Sequence, residues 1–315
     1  MQDEEEYLIS YVNLKNNLIK YQKDFSNLET LNSYYKNEFY GFPQCLPINI
    51  KYFNYSKAKV FKIDRKKFSK KIFNTSNINY IGNKKFFRYG EYFAFNVSLK
   101  EKYTKVFNKY TTQLKFLKKK ISITKKKYNN ICSMQIRNAP HYGHEAIFKF
   151  LIKKFDYVIL NPIFGIKKKN DFSNKYISEA LKFIERKYKK IKFYPVTSNF
   201  YYAGPREALH HMNLREMLGF SYLYVGRDHA GAENLYAPEE AVKTVKKYSK
   251  KFKIKSVTSG GGYFCTNCND YVIKNECGHV SLIDISGTKF RSCLRKRKIY
   301  THADKSLQKK LFFTK

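Results

Sequence analysis

Between residue 131 and residue 257, short apolar runs alternate with longer stretches whose apolar residues recur every three to four positions. The runs 131–134, 157–160, 191–196 and 222–225 are short and mostly apolar, so they read as strands, and 253–257 follows them. The segment 144–155 places Ile147, Phe148, Leu151 and Ile152 on one helical face. Segments 173–188, 205–218 and 238–248 read as further helices, the last with proline in its first turn. Strand alternating with helix predicts an α/β fold with a Rossmann-like parallel sheet covered on both faces, and ligands at the carboxyl ends of its strands.

The first 125 residues have a different texture. After a helical stretch near 7–31, the runs 46–50, 58–63 and 92–97 are rich in Tyr, Phe, Ile and Val and read as strands. This predicts a β-rich N-terminal domain over 1–125 and a second domain over 126–315. No pair of titratable groups in the first domain has catalytic spacing.

At 315 residues, two domains and a sizeable core are expected. A hydrophobic content of 43% and an aromatic content of 17% exclude a disordered chain. No apolar run reaches membrane-spanning length, and the acidic start MQDEEEYL is the reverse of a leader, so a soluble cytoplasmic protein with no membrane partner is expected. The formal charge of +37 would suggest a polyanionic partner. The excess is dispersed Lys, accompanied by Asn, Ile, Phe and Tyr and no Trp, which is the signature of an A+T-rich coding sequence. Runs such as 118–120 and 125–127 are then solvated faces, and nucleic acid is not an expected partner.

The candidate chemistry sits in the loops after the strands. Gln135-Ile136-Arg137-Asn138-Ala139-Pro140-His141-Tyr142-Gly143-His144 places two histidines and a glycine where a strand turns into a helix. There the imidazoles and the first helical N–H groups can face one anion, and Gly143 leaves room for a phosphate or nucleotide ring. Gly226-Arg227-Asp228-His229-Ala230-Gly231 is a second anion-suited loop, with Arg227 available for charge-assisted contacts. In Ile285-Ser286-Gly287-Thr288-Lys289-Phe290-Arg291, Ser286 or Thr288 can cap the next helix, while Lys289 and Arg291 bring positive charge that an anion would offset. Cys265-x2-Cys268-x8-Cys277-x-His279 has the spacing of a tetrahedral structural zinc site, a small knuckle over 263–280.

QIRNAPHYGHE, YYAGPREALHH, VGRDHAG and ISGTKFR, in that order over about residues 131–295, resemble the ATP sulfurylases of the HxGH nucleotidyltransferase superfamily. The resemblance implies a PUA-like N-terminal domain and a reversible reaction of ATP and sulfate to adenylyl sulfate and pyrophosphate. It implies that Gln135 and Arg137 hold sulfate with the backbone N–H of Ala230, and that Asn138 orders the loop. His141 and His144 would contact the ATP phosphates, while Gly226, Arg227, Asp228, His229, Ser286, Thr288 and Arg291 complete the nucleotide side. Attack of a sulfate oxygen on the α-phosphorus would be in line, with pyrophosphate leaving as its Mg2+ complex. A structural Zn2+ and a homo-oligomer are also expected.

Residues 161–171 resemble the family stretch HPLxGxxKxxD, making Lys168 and, in the 205–208 helix start, Arg206 candidates for ligand contact or for stabilising the site. The chain departs from the usual pattern at Ile136 (Thr), Ala139 (Pro) and Asn161 (His). Two alternatives remain: an HxGH nucleotidyltransferase acting on a phosphorylated cofactor precursor, and a zinc-ribbon nucleic-acid-binding protein. The first lacks reason to keep Gln135-x-Arg137-Asn138 with GRDHAG. No P-loop GxxxxGK[ST] is present for a fused kinase.

Overall fold

The computed structural model describes residues 2–166, 171–227, 229, 235–274 and 276–314. Its central sheet has five parallel strands in the order Lys255–Val257, Tyr222–Tyr224, Ile131–Met134, Tyr157–Leu160 and Ile191–Phe193. The strand earliest in the chain therefore lies in the middle, and the winding reverses between it and Tyr222–Tyr224. In parallel sheets that reversal opens a crevice beyond the carboxyl ends of the two strands.

Side chains alternate across the sheet with period two, and each set enters a different core. Cys132, Met134, Val158 and Leu160 pack with Phe148, Leu151, Ile177 and Leu181 of the helices Tyr142–Lys154 and Asn174–Lys187. Ile131, Tyr157, Ile159 and Leu223 pack on the other face with Leu209 and Met212 of the helix Gly204–Leu218 and Val245 of the helix Glu240–Lys247. Both faces are covered, as the mostly apolar character of the strands predicts. The predicted run 191–196 divides in two: Ile191–Phe193 stays in the main sheet, and Val196–Thr197 pairs with Ile163–Phe164.

The N-terminal region differs from the β-rich expectation. Five α-helices, Glu5–Lys15, Leu28–Tyr35, Arg65–Ile72, Ile81–Phe86 and Thr104–Lys127, outweigh a three-stranded antiparallel sheet of Leu46–Pro47, Tyr92–Phe95 and Lys59–Lys62 and the short pair Phe53–Asn54 with Ser98–Leu99. The 24-residue helix Thr104–Lys127 hides inside lysine runs that read as bare solvated faces. Its buried stripe is only Leu114, Leu117, Ile121 and Thr124, a spacing of three or four, while Phe116 and Ile123 remain exposed. Phe42, Phe68, Phe73, Phe93, Leu114 and Ile121 share one core with the sheet strands. Beyond the sheet, Gly262–Cys265 is the middle strand of an antiparallel three-stranded unit with Asp270–Ile273 and Leu282–Asp284. Among the described residues no helix is long and apolar enough to cross a membrane.

Candidate functional site

A cleft of about 860 Å³ opens at the carboxyl ends of Ile131–Met134 and Tyr222–Tyr224, where the sheet reverses. Gln135, Arg137, Asn138, His141 and His144 line it from the first strand, Gly226, Arg227 and His229 from the second, and Thr288 and Arg291 from the last loop. Three segments far apart in sequence thus converge. Asp228 and Ala230 of the same loop, and Lys168, lie outside the described residues.

At the end of the cleft nearest the helix Tyr142–Lys154, His141 caps that helix, and its backbone N–H donates to Nδ1 of His144 at 3.3 Å. That acceptor role assigns the His144 proton to Nε2. The two rings lie 4.0 Å apart by centroid. Burial pushes His144 down to about 4, and burial together with His144, His302 and Arg291 holds His141 well below the usual imidazole range. Both rings are therefore neutral donors at pH 7 rather than cations, and positive charge comes from Arg137, Arg227 and Arg291. A β-carbon built on Gly287 would lie 3.8 Å from Nε2 of His141, which brings the Ser-Gly-Thr loop against the histidine loop.

Gly143 also has a purpose that its sequence position does not predict. A β-carbon there would meet the Gly262 carbonyl oxygen at 2.9 Å, and one on Gly262 would meet the Gly143 oxygen at 2.0 Å. The glycine admits the neighbouring antiparallel strand, and both glycines also line the cleft. Ser286 accepts the Lys289 N–H at 3.1 Å as a helix cap and does not line the cleft, whereas Thr288 accepts from Nη2 of Arg291 at 3.0 Å. Arg227 donates to the Tyr263 hydroxyl and approaches Asp284 at 3.5 Å, so the cysteine-bearing strand also walls the cleft.

At the opposite end, the helix Gly204–Leu218 contributes residues that sequence reading passed over. Glu207, His211 and Arg215 recur every fourth position, fall on one helical face, and are all buried. The carboxylate of Glu207 accepts the N–H groups of Tyr201 and Ala203, each at 3.0 Å. His211 Nδ1 lies 2.8 Å from His229 Nε2. Burial, then Arg215 and Arg137, push His229 down to about 3, and burial with Arg215 leading the neighbouring charges also depresses His211. Arg137 thus sits within electrostatic reach of this end, and it also adds to the burial that lowers Arg291 at the other. The visible signal was a run of charged and imidazole side chains at i, i+4, i+8 in a helix that the pattern places against the sheet. Arg206 points away, donating to Asn37 Oδ1 at 2.8 Å and Gly41 O at 3.4 Å, which ties the helix start to the N-terminal region.

Outside the cleft, the ligand atoms of Cys265, Cys268, Cys277 and His279 all lie within 4.8 Å of one another. The Cys268–Cys277 and Cys265–Cys277 sulfur pairs are 3.7 and 3.6 Å apart, and His279 Nδ1 lies 3.3 to 3.6 Å from the three sulfurs. A tetrahedron with ~2.3 Å metal–sulfur bonds has edges of about 3.7 Å, so the four groups fit one tetrahedral ion despite the single residue between Cys277 and His279.

The reversed parallel sheet and its cleft of histidine, arginine and hydroxyl donors define an α/β protein with a donor-lined cleft at its switch point. A solved structure entitled "Hexameric APS kinase from Thiobacillus denitrificans" shares this fold, with a TM-score of 0.51 and 13% identity over 70% of this chain and 44% of that one. The sequence model of the ATP-sulfurylase family matches residues 112–302, and the chain belongs to that family. Curated sulfate adenylyltransferases of Thermococcus onnurineus (31% identity), Pyrococcus abyssi (30%) and Ignicoccus hospitalis (31%) match over 75%, 75% and 76% of the chain. The chain spans 63 to 64% of the length of those relatives.

Proposed function

We propose that the chain is a sulfate adenylyltransferase, converting ATP and sulfate to adenylyl sulfate and pyrophosphate, reversibly. The observation that carries the reading is that one cleft holds both the Gln135-Arg137-Asn138 and the His141-His144 clusters, with Thr288 and Arg291 across from them. Sulfate is a weak, doubly charged nucleophile, and bringing it to an anionic α-phosphate requires donors and positive charge on both partners.

In this reading Arg137 and Gln135 hold sulfate, with the Ala230 N–H, and Asn138 keeps their loop in shape. His141 and His144 donate N–H groups to the phosphates, while Gly226, Arg227, Asp228 and His229 flank the nucleotide and Thr288 and Arg291 take the outer phosphates. One sulfate oxygen forms a bond to the α-phosphorus as the bond to the bridging oxygen of pyrophosphate breaks, and that oxygen leaves with the electron pair. No side chain forms a covalent intermediate. Magnesium carried in with the nucleotide would neutralise charge on the leaving pyrophosphate.

The Cys265, Cys268, Cys277 and His279 tetrahedron is assigned to a structural Zn2+. The 1–125 and 126–315 division, a homo-oligomer and a cytoplasmic setting complete the proposal. ATP formation from adenylyl sulfate and pyrophosphate tests the activity, together with pyrophosphate exchange into ATP that depends on sulfate. Exchange driven by a phosphorylated cofactor precursor but not by sulfate would overturn it.

A further inference from the structure

The side chain of Arg215 is wholly buried in the helix Gly204–Leu218, yet among the described residues no carboxylate pairs with it. Its Nη2 donates to Oε1 of Gln135 and, at 2.6 Å, to the carbonyl of Asn161, and its Nε and Nη1 have no partner among the described residues. A buried guanidinium without a counter-ion is costly, and it persists where its field or its fixed fork of donors serves something else. Gln135 lines the cleft and Arg215 does not.

From this juxtaposition we infer that Arg215 is a positioning residue for oxyanion binding: it pins the Gln135 carbonyl oxygen so that the amide NH2 faces the cleft. A glutamine amide is free to flip by half a turn, and a flipped Gln135 would present an acceptor, which repels sulfate. The Arg215–Oε1 hydrogen bond removes that choice. That charge behind the amide, which has no counter-ion among the described residues, also polarises its N–H groups toward an anion. The same charge helps to keep His211 and His229 neutral, so that end of the cleft gains donors without imidazolium charge. The inference rests on the sulfate adenylyltransferase reading and names a residue that acts there without touching substrate.

The test is sulfate-dependent pyrophosphate exchange in Arg215→Lys, Gln135→Ala and the double variant, with KM measured separately for sulfate and ATP. Arg215→Lys keeps the charge but loses the fork, and the expected result is a sulfate KM raised about tenfold or more with the ATP KM within about twofold of wild type. In the Gln135→Ala background the lysine substitution should add less than about twofold, because the group it orients is gone. Equal increases in both KM values, or additive effects, would overturn the inference while leaving the activity established. Absence of sulfate-dependent exchange in the wild type would overturn the activity itself. A second measurement then decides the positioning claim, as it does if the lysine variant is insoluble. Gln135→Glu places a carboxylate against the Arg215 guanidinium and should raise Tm by about 2 °C or more, whereas an unchanged or lower Tm refutes the pairing.

Discussion

The backbones of Gly143 and Gly262 meet face to face, each occupying the space that a β-carbon on the other would need. One belongs to the loop that carries His141 and His144, the other to the strand that carries Tyr263 and Cys265. The histidine loop is therefore braced by the cysteine-bearing unit rather than standing free.

Gly262→Ala should push the histidine loop out of place, since its methyl would fall 2.0 Å from a carbonyl oxygen that cannot rotate away. The expected outcome is a loss of about tenfold or more in kcat/KM and a Tm several degrees lower. Lys115→Ala, at an exposed position of the helix Thr104–Lys127, is the control and should change neither. Equal behaviour of the two variants in thermal melts would contradict the bracing.

Stability should fall as the solution is acidified below neutral. His144, His210 and His229 are pushed down to about 4, 3 and 3 by burial, Arg215 adding to it at the last two, and His141 and His211 are also lowered. A base depressed in the folded state takes up its proton on unfolding, so each of these contributions is intact above the unfolded value of ~6.5 and shrinks as pH falls toward the folded value, by about 1.4 kcal/mol per pH unit at most. Glu207, raised by burial, works in the opposite sense above the ordinary carboxylate range, as one group against five. Urea melts at pH 7.5 and pH 5 should differ markedly in midpoint, and coincident curves would show that these imidazoles are not neutral inside.

Purified protein should carry about one zinc per chain, and less than about half would reject the assignment. Cys268→Ser should lose the metal. Chelation should open residues 263–280 to proteases and raise the nucleotide KM more than the sulfate KM, because Gly262 and Tyr263 lean on Gly143 of the histidine loop and on Arg227.

Arg137→Ala should abolish turnover, by about a hundredfold or more, with an unchanged circular dichroism spectrum, because the side chain is half-buried in a solvated cleft rather than part of a core. Turnover at the wild-type rate would remove Arg137 from the site. His144→Ala should weaken ATP binding more than sulfate binding, as measured by isothermal titration with each ligand alone.

Much of the sheet was legible because its strands are buried on both faces and leave mostly apolar runs at 131–134, 157–160 and 222–225. The loops that line the cleft were legible for a related reason: small residues, histidines and arginines immediately after an apolar run are poor core material, so their local composition marks them. Cysteine and histidine spacing likewise needs only a short loop to become a tetrahedron. The N-terminal region was not legible. Its aromatic-rich segments suit strand or helix equally, and Thr104–Lys127 buries so narrow a stripe that nine lysines mask it.

Other assignments belong to tertiary structure alone. Strand order is set by which surfaces pack, and nothing local to 131–134 or 222–224 states that they are neighbours and that the crevice lies between them. The meaning of Gly143 depended on what lies opposite it, Gly262, a partner that no spacing along the chain reveals. Arg215 is the sharpest case. As a letter it is a surface-compatible residue in a helix, and only its burial against the amide of Gln135, without a counter-ion among the described residues, sets it apart. Sequence by itself determined which chemical groups are available and which short segments are strands or loops, because those depend on near neighbours. Convergence of those groups, and the protonation and orientation that burial imposes on them, required the folded chain, because desolvation and contact are properties of the packed interior.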